Sequence, residues 1–315
     1  MKRALVALLL AACTSPVHAQ YPDKPIHLVV PFAAGGGADA LARAIGDGLS
    51  QVLRQPVLIE NKGGGDATIG TAFVAKAPPD GYTLGFASNT GFSGAPYLHR
   101  NIGYDPARDF TPISMLGTFP YFITVNKDLP VRTLRDFVEY ARARPGQVNY
   151  ASGNAMGIIA TAQLAAWHGL QMTHVPYKGE APAMPDLLTN RVQMIFTTGF
   201  IIPHAKDGRV RLLAAMNDER NPQVPDVPTV TEAGFPELTV RGWAGIVAPA
   251  GLSREMAHRL SEAVNAALRI PRVQEQFATQ GFPGKGSTPD EMARVIREQL
   301  GSWGEAVKSA GIAPD

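Results

Sequence analysis

The sequence predicts an α/β fold of two lobes, each built on a mixed, mostly parallel sheet. Three observations predict it. Apolar β-rich runs alternate with amphipathic helical patterns along most of the chain, the order that builds parallel sheets covered by helices. The 315 residues suggest two domains, at roughly 100 to 200 residues each. Beyond the first twenty residues no stretch reaches ~18 consecutive apolar residues, so no membrane-spanning helix is expected.

The chain opens MKRALVALLLAACTSPVHAQ: a basic start, an apolar run and a small-residue end at Ala19, the layout of a secretory leader over residues 1–19. Leu10-Ala11-Ala12-Cys13 also fits a lipobox, which would tether the protein through Cys13. Either reading places the protein outside the cytoplasm. Cys13 is the only cysteine, so the folded part has neither disulfide nor thiol nucleophile and relies on its core.

Ile26 to Val30 reads as a strand, Ala38 to Leu53 as an amphipathic helix and Val57 to Glu60 as a second strand. A helix over Ile69 to Ala77 stops at Pro78-Pro79, and Tyr82 to Ala87 is a third strand. A second unit repeats the alternation. It has strands at Tyr121 to Val125, Val148 to Ala151, Thr173 to Tyr177 and Val192 to Phe196, with helices at Leu134 to Arg144, Ile158 to His168 and Ala183 to Leu188. Strands at Arg211 to Met216 and Trp243 to Val247 follow, then helices over Ser253 to Leu268 and Pro289 to Lys308 that would pack back on the first unit. The expected division is residues 20–122 with 229–315 for one lobe and 123–228 for the other, leaving a cleft suited to a small ligand.

Lysine and arginine number 29 against 27 acidic residues, and no basic patch is interleaved with aromatics, so nucleic acid is not an expected partner. Selectivity for an anion would have to come from local geometry. The loop Gly35-Gly36-Gly37 supplies it: glycines tolerate φ > 0 and close approach, and the following helix N-terminus offers unpaired N–H groups. Asp39 is the expected N-cap. The spacing Gly35-x-Gly37-x-x-Ala40, with Glu60 ending the next strand, imitates a dinucleotide fingerprint. Export and an aspartate where a pyrophosphate would approach argue against that guest, and the Lys-Ser/Thr of a P-loop is missing. A small carboxylate is the better expectation, and no cofactor is expected.

Other polar loops follow strands: Ser88-Asn89-Thr90-Gly91, Ser152-Gly153-Asn154, Tyr177-Lys178-Gly179-Glu180 and Thr197-Thr198-Gly199. Each places donors at a strand's carboxyl end, where open α/β sheets bind ligands. The G-x-S-x-G and H-E-x-x-H patterns are missing, and the histidines lack paired metal-ligand spacing. Asp39 and Glu180 form a conceivable carboxylate pair, although capping and surface roles explain them at lower cost. Trp167, Trp243 and Trp303 are expected in packing, whereas Tyr177 opens a cleft-facing loop and can stack or donate.

These motifs join into a whole. YPDKPIHLVVPFAAGGGADALAR, ENKGGGDATIG, APPDGYTL, THVPYKGEAPAMPDLLTNRVQMIF, VPDVPTVTEAGFPEL and the closing TPDEM and WGEAVKSAGI resemble the solute receptors of tripartite tricarboxylate transporters, the Bug family, from Tyr21 to the end. The resemblance implies a type II, Venus-flytrap periplasmic binding protein. Such a receptor is a monomer that closes on a small carboxylate (a di- or tricarboxylate, an acidic amino acid or an aromatic acid) and delivers it to a membrane permease. By position Phe32, Ala33, Gly37, Ala38 and Asp39, with the neighbouring Gly36, inherit the carboxylate contacts. Ser88, Ser152, Tyr177 and Thr198 inherit those that close the cleft, and Asn89 and Asn154 lie in the same loops. Ala34 stands where the family usually has proline, and the second-lobe loop lacks the family's histidine after Gly157, which points toward a more apolar or aromatic carboxylate. Two other readings remain open on the sequence: an exported hydrolase or nucleotide-cofactor oxidoreductase, and a receptor for a signalling partner.

Overall fold

The computed structural model describes residues 21–238 and 241–314; the expected leader and Cys13 lie outside the described residues. The described residues form two five-stranded sheets. In the first, β1 (Ile26–Val30) is flanked in parallel by β2 (Val57–Asn61) and β3 (Thr83–Ser88), with Ile26 opposite Val57 and Leu28 opposite Leu84. The late strand β10 (Gly242–Pro249) then enters antiparallel between β3 and β4 (Phe110–Phe119).

The second sheet repeats the plan. β6 (Val148–Ser152) lies parallel between β7 (Met172–Pro176) and β8 (Met194–Thr198), and β5 (Tyr121–Asn126) runs antiparallel between β8 and β9 (Val210–Ala215). Four strands of each sheet thus point one way and one runs against them, which bears out a mixed, mostly parallel arrangement. Because like-directed strands share an end, the loops leaving β1 and β3 gather at one end of the first sheet and those leaving β6, β7 and β8 at one end of the second.

Hydrophobic period builds the layers. Helix α1 (Gly37–Leu53) buries Leu41, Ile45 and Leu49, spaced four apart on one face. Each such side chain contributes about 1.5 to 3 kcal/mol on leaving water. The helix ends where Arg54 takes the left-handed conformation. Helix α2 (Thr68–Ala75) covers the other face of β1 and β3.

Several elements depart from expectation. β4 carries Pro112, which hid it as a strand; as an edge strand, β4 spares that position the ladder hydrogen bond that proline cannot donate. The loop after β3 is a π-helical turn, Thr90–Gly94, continued by the short helix α3 (Ala95–Leu98). Helix α4 (Leu134–Arg142) starts with a capping box between Thr133 and Asp136. Helix α5 (Ala155–His168) starts three residues earlier than expected, and α6 (Glu180–Leu188) starts at Glu180. After α7 (Ile202–Lys206) and α8 (Arg254–Ala267) comes an unforeseen helix, α9 (Pro271–Thr279), before α10 (Pro289–Ser309) closes the chain. Trp243 and Trp303 are buried, but Trp167 is 39% exposed, contrary to its expected packing role. Among the described residues no helix is long and apolar enough to cross a membrane.

Candidate functional site

The glycine loop leaves β1 through Pro31 and turns at Gly35, whose φ of 87° favours glycine. Helix α1 begins at Gly37 with Gly36 as N-cap, so no side chain caps its first amides. The expected capping by Asp39 is corrected. Asp39 sits in the first turn and reaches backward, its Oδ2 accepting from the Gly35 amide at 2.9 Å and from Arg43 Nε at 3.0 Å. Its Oδ1 accepts from Asn61 Nδ2 at 2.9 Å, and the same amide donates to the Phe32 carbonyl. Burial alone would raise this carboxyl, but the hydrogen bonds from Arg43, Gly35 and Asn61 outweigh it and hold Asp39 below the usual range. The aspartate therefore stiffens the loop from behind and leaves the first-turn N–H groups of α1 facing outward.

Three loops of the second sheet converge opposite. Asn154, the N-cap of α5, accepts from the Gly157 amide at 2.9 Å while its Nδ2 donates to Glu180 Oε1 at 2.7 Å. Thr198, at the end of β8, donates to Glu180 Oε2 from both its amide (3.1 Å) and its hydroxyl (2.7 Å). Gly153 and Gly179 pack so closely that a Cβ on Gly153 would lie 2.3 Å from the Gly179 carbonyl carbon. Glu180 is buried, which contradicts the expected surface role. Its burial pushes the carboxyl up to about 7 against the lowering effect of the Thr198 and Asn154 hydrogen bonds.

The two sets of loops meet. The Ala33 amide donates to the Lys178 carbonyl at 3.3 Å across the cleft, and a Cβ on Gly37 would fall 2.3 Å from Thr198 Oγ1. Between them lies a crevice of about 20 Å³, the room of a single water-sized group. Phe32, Ala33, Gly36, Gly37, Ala38, Ser88, Asn154 and Thr198 line it. Four other residues expected at the site do not. Asp39 lies behind the loop, the buried Asn89 accepts through Oδ1 from the Trp243 amide at 3.1 Å, Ser152 Oγ is hydrogen-bonded to His174 Nε2, and the Tyr177 hydroxyl donates to Asp186 at 2.6 Å. Phe119 and Tyr121 line it without having been expected, and Gly153, Gly179 and Glu180 line it from loops assigned to the cleft although they were not singled out as contacts. Glu180 was within reach of sequence reasoning, because it closes a loop already assigned to the cleft.

One atom of the lining is unmatched: Ser88 Oγ is buried with no partner among the described residues; Thr90 Oγ1, two residues on in the same loop, is unmatched as well, whereas the Asn89 side chain lies against the Tyr121 hydroxyl. Leaving such a group unpaired costs about 1 to 3 kcal/mol, and the Ser88 hydroxyl can donate to an anion in the crevice. A larger open groove of about 600 Å³ beside Tyr21, Arg54 and Arg259 is a surface depression lacking helix N-termini and orphan donors of this kind. Among the described residues no group of three or more His, Cys, Asp and Glu is arranged to hold a metal.

Comparison with known proteins finds the same framework. Residues 41–312 match the model of the "Tripartite tricarboxylate transporter family receptor". The protein BugT of Bordetella pertussis is 34% identical over 311 residues, covering 96% of this chain and 94% of BugT. The structure of the periplasmic binding protein BugD superposes with a TM-score of 0.90 at 32% identity, covering 94% of this chain and all of that one. An R. palustris protein determined with adipate superposes with a TM-score of 0.89 at 34% identity and the same coverage.

Proposed function

We propose, from the premise that this chain belongs to the tripartite tricarboxylate transporter receptor family, that the cleft around this crevice opens to capture a small carboxylate, closes on it and presents it to a membrane permease. The chain is a periplasmic solute-binding receptor; the ligand and the delivery step are the proposal. The observation that carries it is the pairing of the uncapped α1 N-terminus with the unmatched Ser88 hydroxyl, both lining the same crevice. Helix N-termini and neutral donors bind carboxylate without an arginine, through charge-assisted hydrogen bonds. Adipate in the R. palustris relative supports the chemistry.

The ligand docks first on the lobe of residues 20–122 and 229–315, and the lobe of residues 123–228 then closes over it. Pocket-sized ligands need a few hundred Å³, far more than the closed crevice holds, so entry requires the Ala33–Lys178 contact to part. Closure is favoured only by contacts the ligand makes in the closed state. Phe32, Phe119 and Tyr121 give the crevice an aromatic wall, which suits a carboxylate with an apolar body. The receptor works as a monomer.

A thermal-shift screen of mono-, di- and tricarboxylates, amino acids and aromatic acids tests the reading. A ligand at 100 times its Kd adds about 2.7 kcal/mol of stability. A protein that responds to none of these acids would refute carboxylate capture, and a response to nicotinamide cofactor alone would turn the reading toward an enzyme.

A further inference from the structure

The Glu180 carboxylate meets the crevice, yet all its partners are uncharged. Asn154 Nδ2, the Thr198 amide and the Thr198 hydroxyl hold it, and among the described residues no lysine, arginine or histidine forms an ion pair with it. A buried carboxylate without a counter-charge is costly unless it is neutralised. Two carboxylate oxygens accept about four hydrogen bonds, and Glu180 receives three. Its Oε1 has a single donor and keeps a lone pair free at a residue that lines the crevice.

Resting on the carboxylate-capture reading, we propose that Glu180 is a specificity-determining residue that selects ligands bearing a positively charged nitrogen in addition to their carboxylate. The α1 N-terminus and the Ser88 hydroxyl of one lobe take the ligand's carboxylate, and Glu180 of the other lobe takes its ammonium. The pairing supplies the counter-charge that the fold omits, and it forms only when the lobes close. A second ligand carboxylate in that place would meet Glu180 as a like charge, which is destabilising at short range. The receptor thus discriminates against simple dicarboxylates.

Isothermal titration with matched ligands tests this. Succinate, glutarate and adipate are compared with 4-aminobutyrate, 5-aminopentanoate and 6-aminohexanoate, in which a CH2–NH3+ group replaces one carboxylate and the carbon count is unchanged. Phenylalanine is compared with 3-phenylpropionate, for a nitrogen beside the carboxylate. The nitrogen-bearing member of at least one pair is expected to bind wild-type protein 10-fold or more tightly, and E180Q is expected to bring that ratio within about threefold of unity. E180S serves if the glutamine variant folds poorly, and the wild-type ratios stand without either. Equal or tighter binding of the nitrogen-free member in every pair overturns the inference while leaving carboxylate capture intact. So does a preference that survives E180Q. Dicarboxylate binding that strengthens from pH 8 to pH 6 would make Glu180 a protonated donor instead, and would also overturn it. A wild-type protein that binds none of these acids removes carboxylate capture, and the inference with it.

Discussion

Gly37 and Thr198 face each other across the cleft so closely that a Cβ on the glycine would lie 2.3 Å from the threonine hydroxyl. The first belongs to the opening turn of α1 and the second ends β8, so the contact joins loops of the two sheets and, under the proposed closure, is made only when the lobes are shut.

Substituting Gly37 by alanine should therefore separate folding from binding. Within a helix, alanine is favoured over glycine by up to about 1 kcal/mol, so the open protein should be as stable as wild type or more so. The closed state is blocked, and ligand affinity should fall at least about 10-fold, or 1.4 kcal/mol. T198A should restore part of the loss in the double variant, because it removes the clashing oxygen. Calorimetric titration beside urea denaturation reads both effects; full affinity in G37A would remove this contact from closure.

Asp39 predicts the reverse combination. Its side chain is buried and accepts from a backbone amide, an arginine and an asparagine. D39A should cost about 1 to 3 kcal/mol, the range for stranding buried donors, and should loosen the glycine loop. Its folded carboxyl lies below the ordinary value, so its contribution is present above about pH 3.9 and is lost as pH falls through the folded value. Acid unfolding curves of D39A and wild type should converge toward low pH. Curves that stay parallel would show that the charge of Asp39 is not what holds the loop.

Glu180 carries the opposite sign. With a folded pKa of about 7 and an unfolded value near 4.3, the folded protein holds a proton that the unfolded chain has lost. Stability therefore falls as pH rises between about 4.5 and 7. Relative to wild type, E180Q should gain on the order of 2 to 3 kcal/mol between pH 4.5 and pH 8, measured by urea denaturation without ligand. A difference independent of pH would show that Glu180 titrates as in the unfolded chain.

Asn154 links these effects, since one side chain both caps α5 and donates to Glu180. Losing a cap alone costs about 0.5 to 2 kcal/mol. N154A should reach the upper part of that range and raise the Glu180 pKa further, by removing a hydrogen bond to its charged form. A thermal melt and a carboxyl NMR titration distinguish the two contributions; an unshifted Glu180 would mean that the hydrogen bond is absent in solution.

The fold was legible where the periodicity was strong. The runs IHLVV and YFITV, and the α1 pattern, name their elements from composition alone. Pro112 concealed β4, because proline normally argues against a strand and only the edge position excuses it. At the site, the glycine loop announced itself through backbone needs that few sequences meet. Glu180 did not, because an acid after a glycine is ordinary at the start of a solvated helix. What buries it is the arrival of Asn154 and Thr198 from loops 26 and 18 residues away. Tyr177 shows the opposite failure. It lies in the right loop, but Asp186, nine residues on within α6, draws its hydroxyl aside.

The late strand β10 occupies the middle of the first sheet, between β3 and β4. An emerging polypeptide therefore builds β1 to β4 with an open seam, and seals it only after the entire second sheet has been synthesised. Such long-range pairing slows folding and leaves strand edges exposed in the meantime. Truncation before residue 242 should leave a first lobe that cannot complete itself, while the second sheet, made entirely of residues 121–215, has all its strands. On the proposed docking order, assembly runs in reverse of ligand contact: the lobe proposed to receive the carboxylate first is the lobe that finishes last.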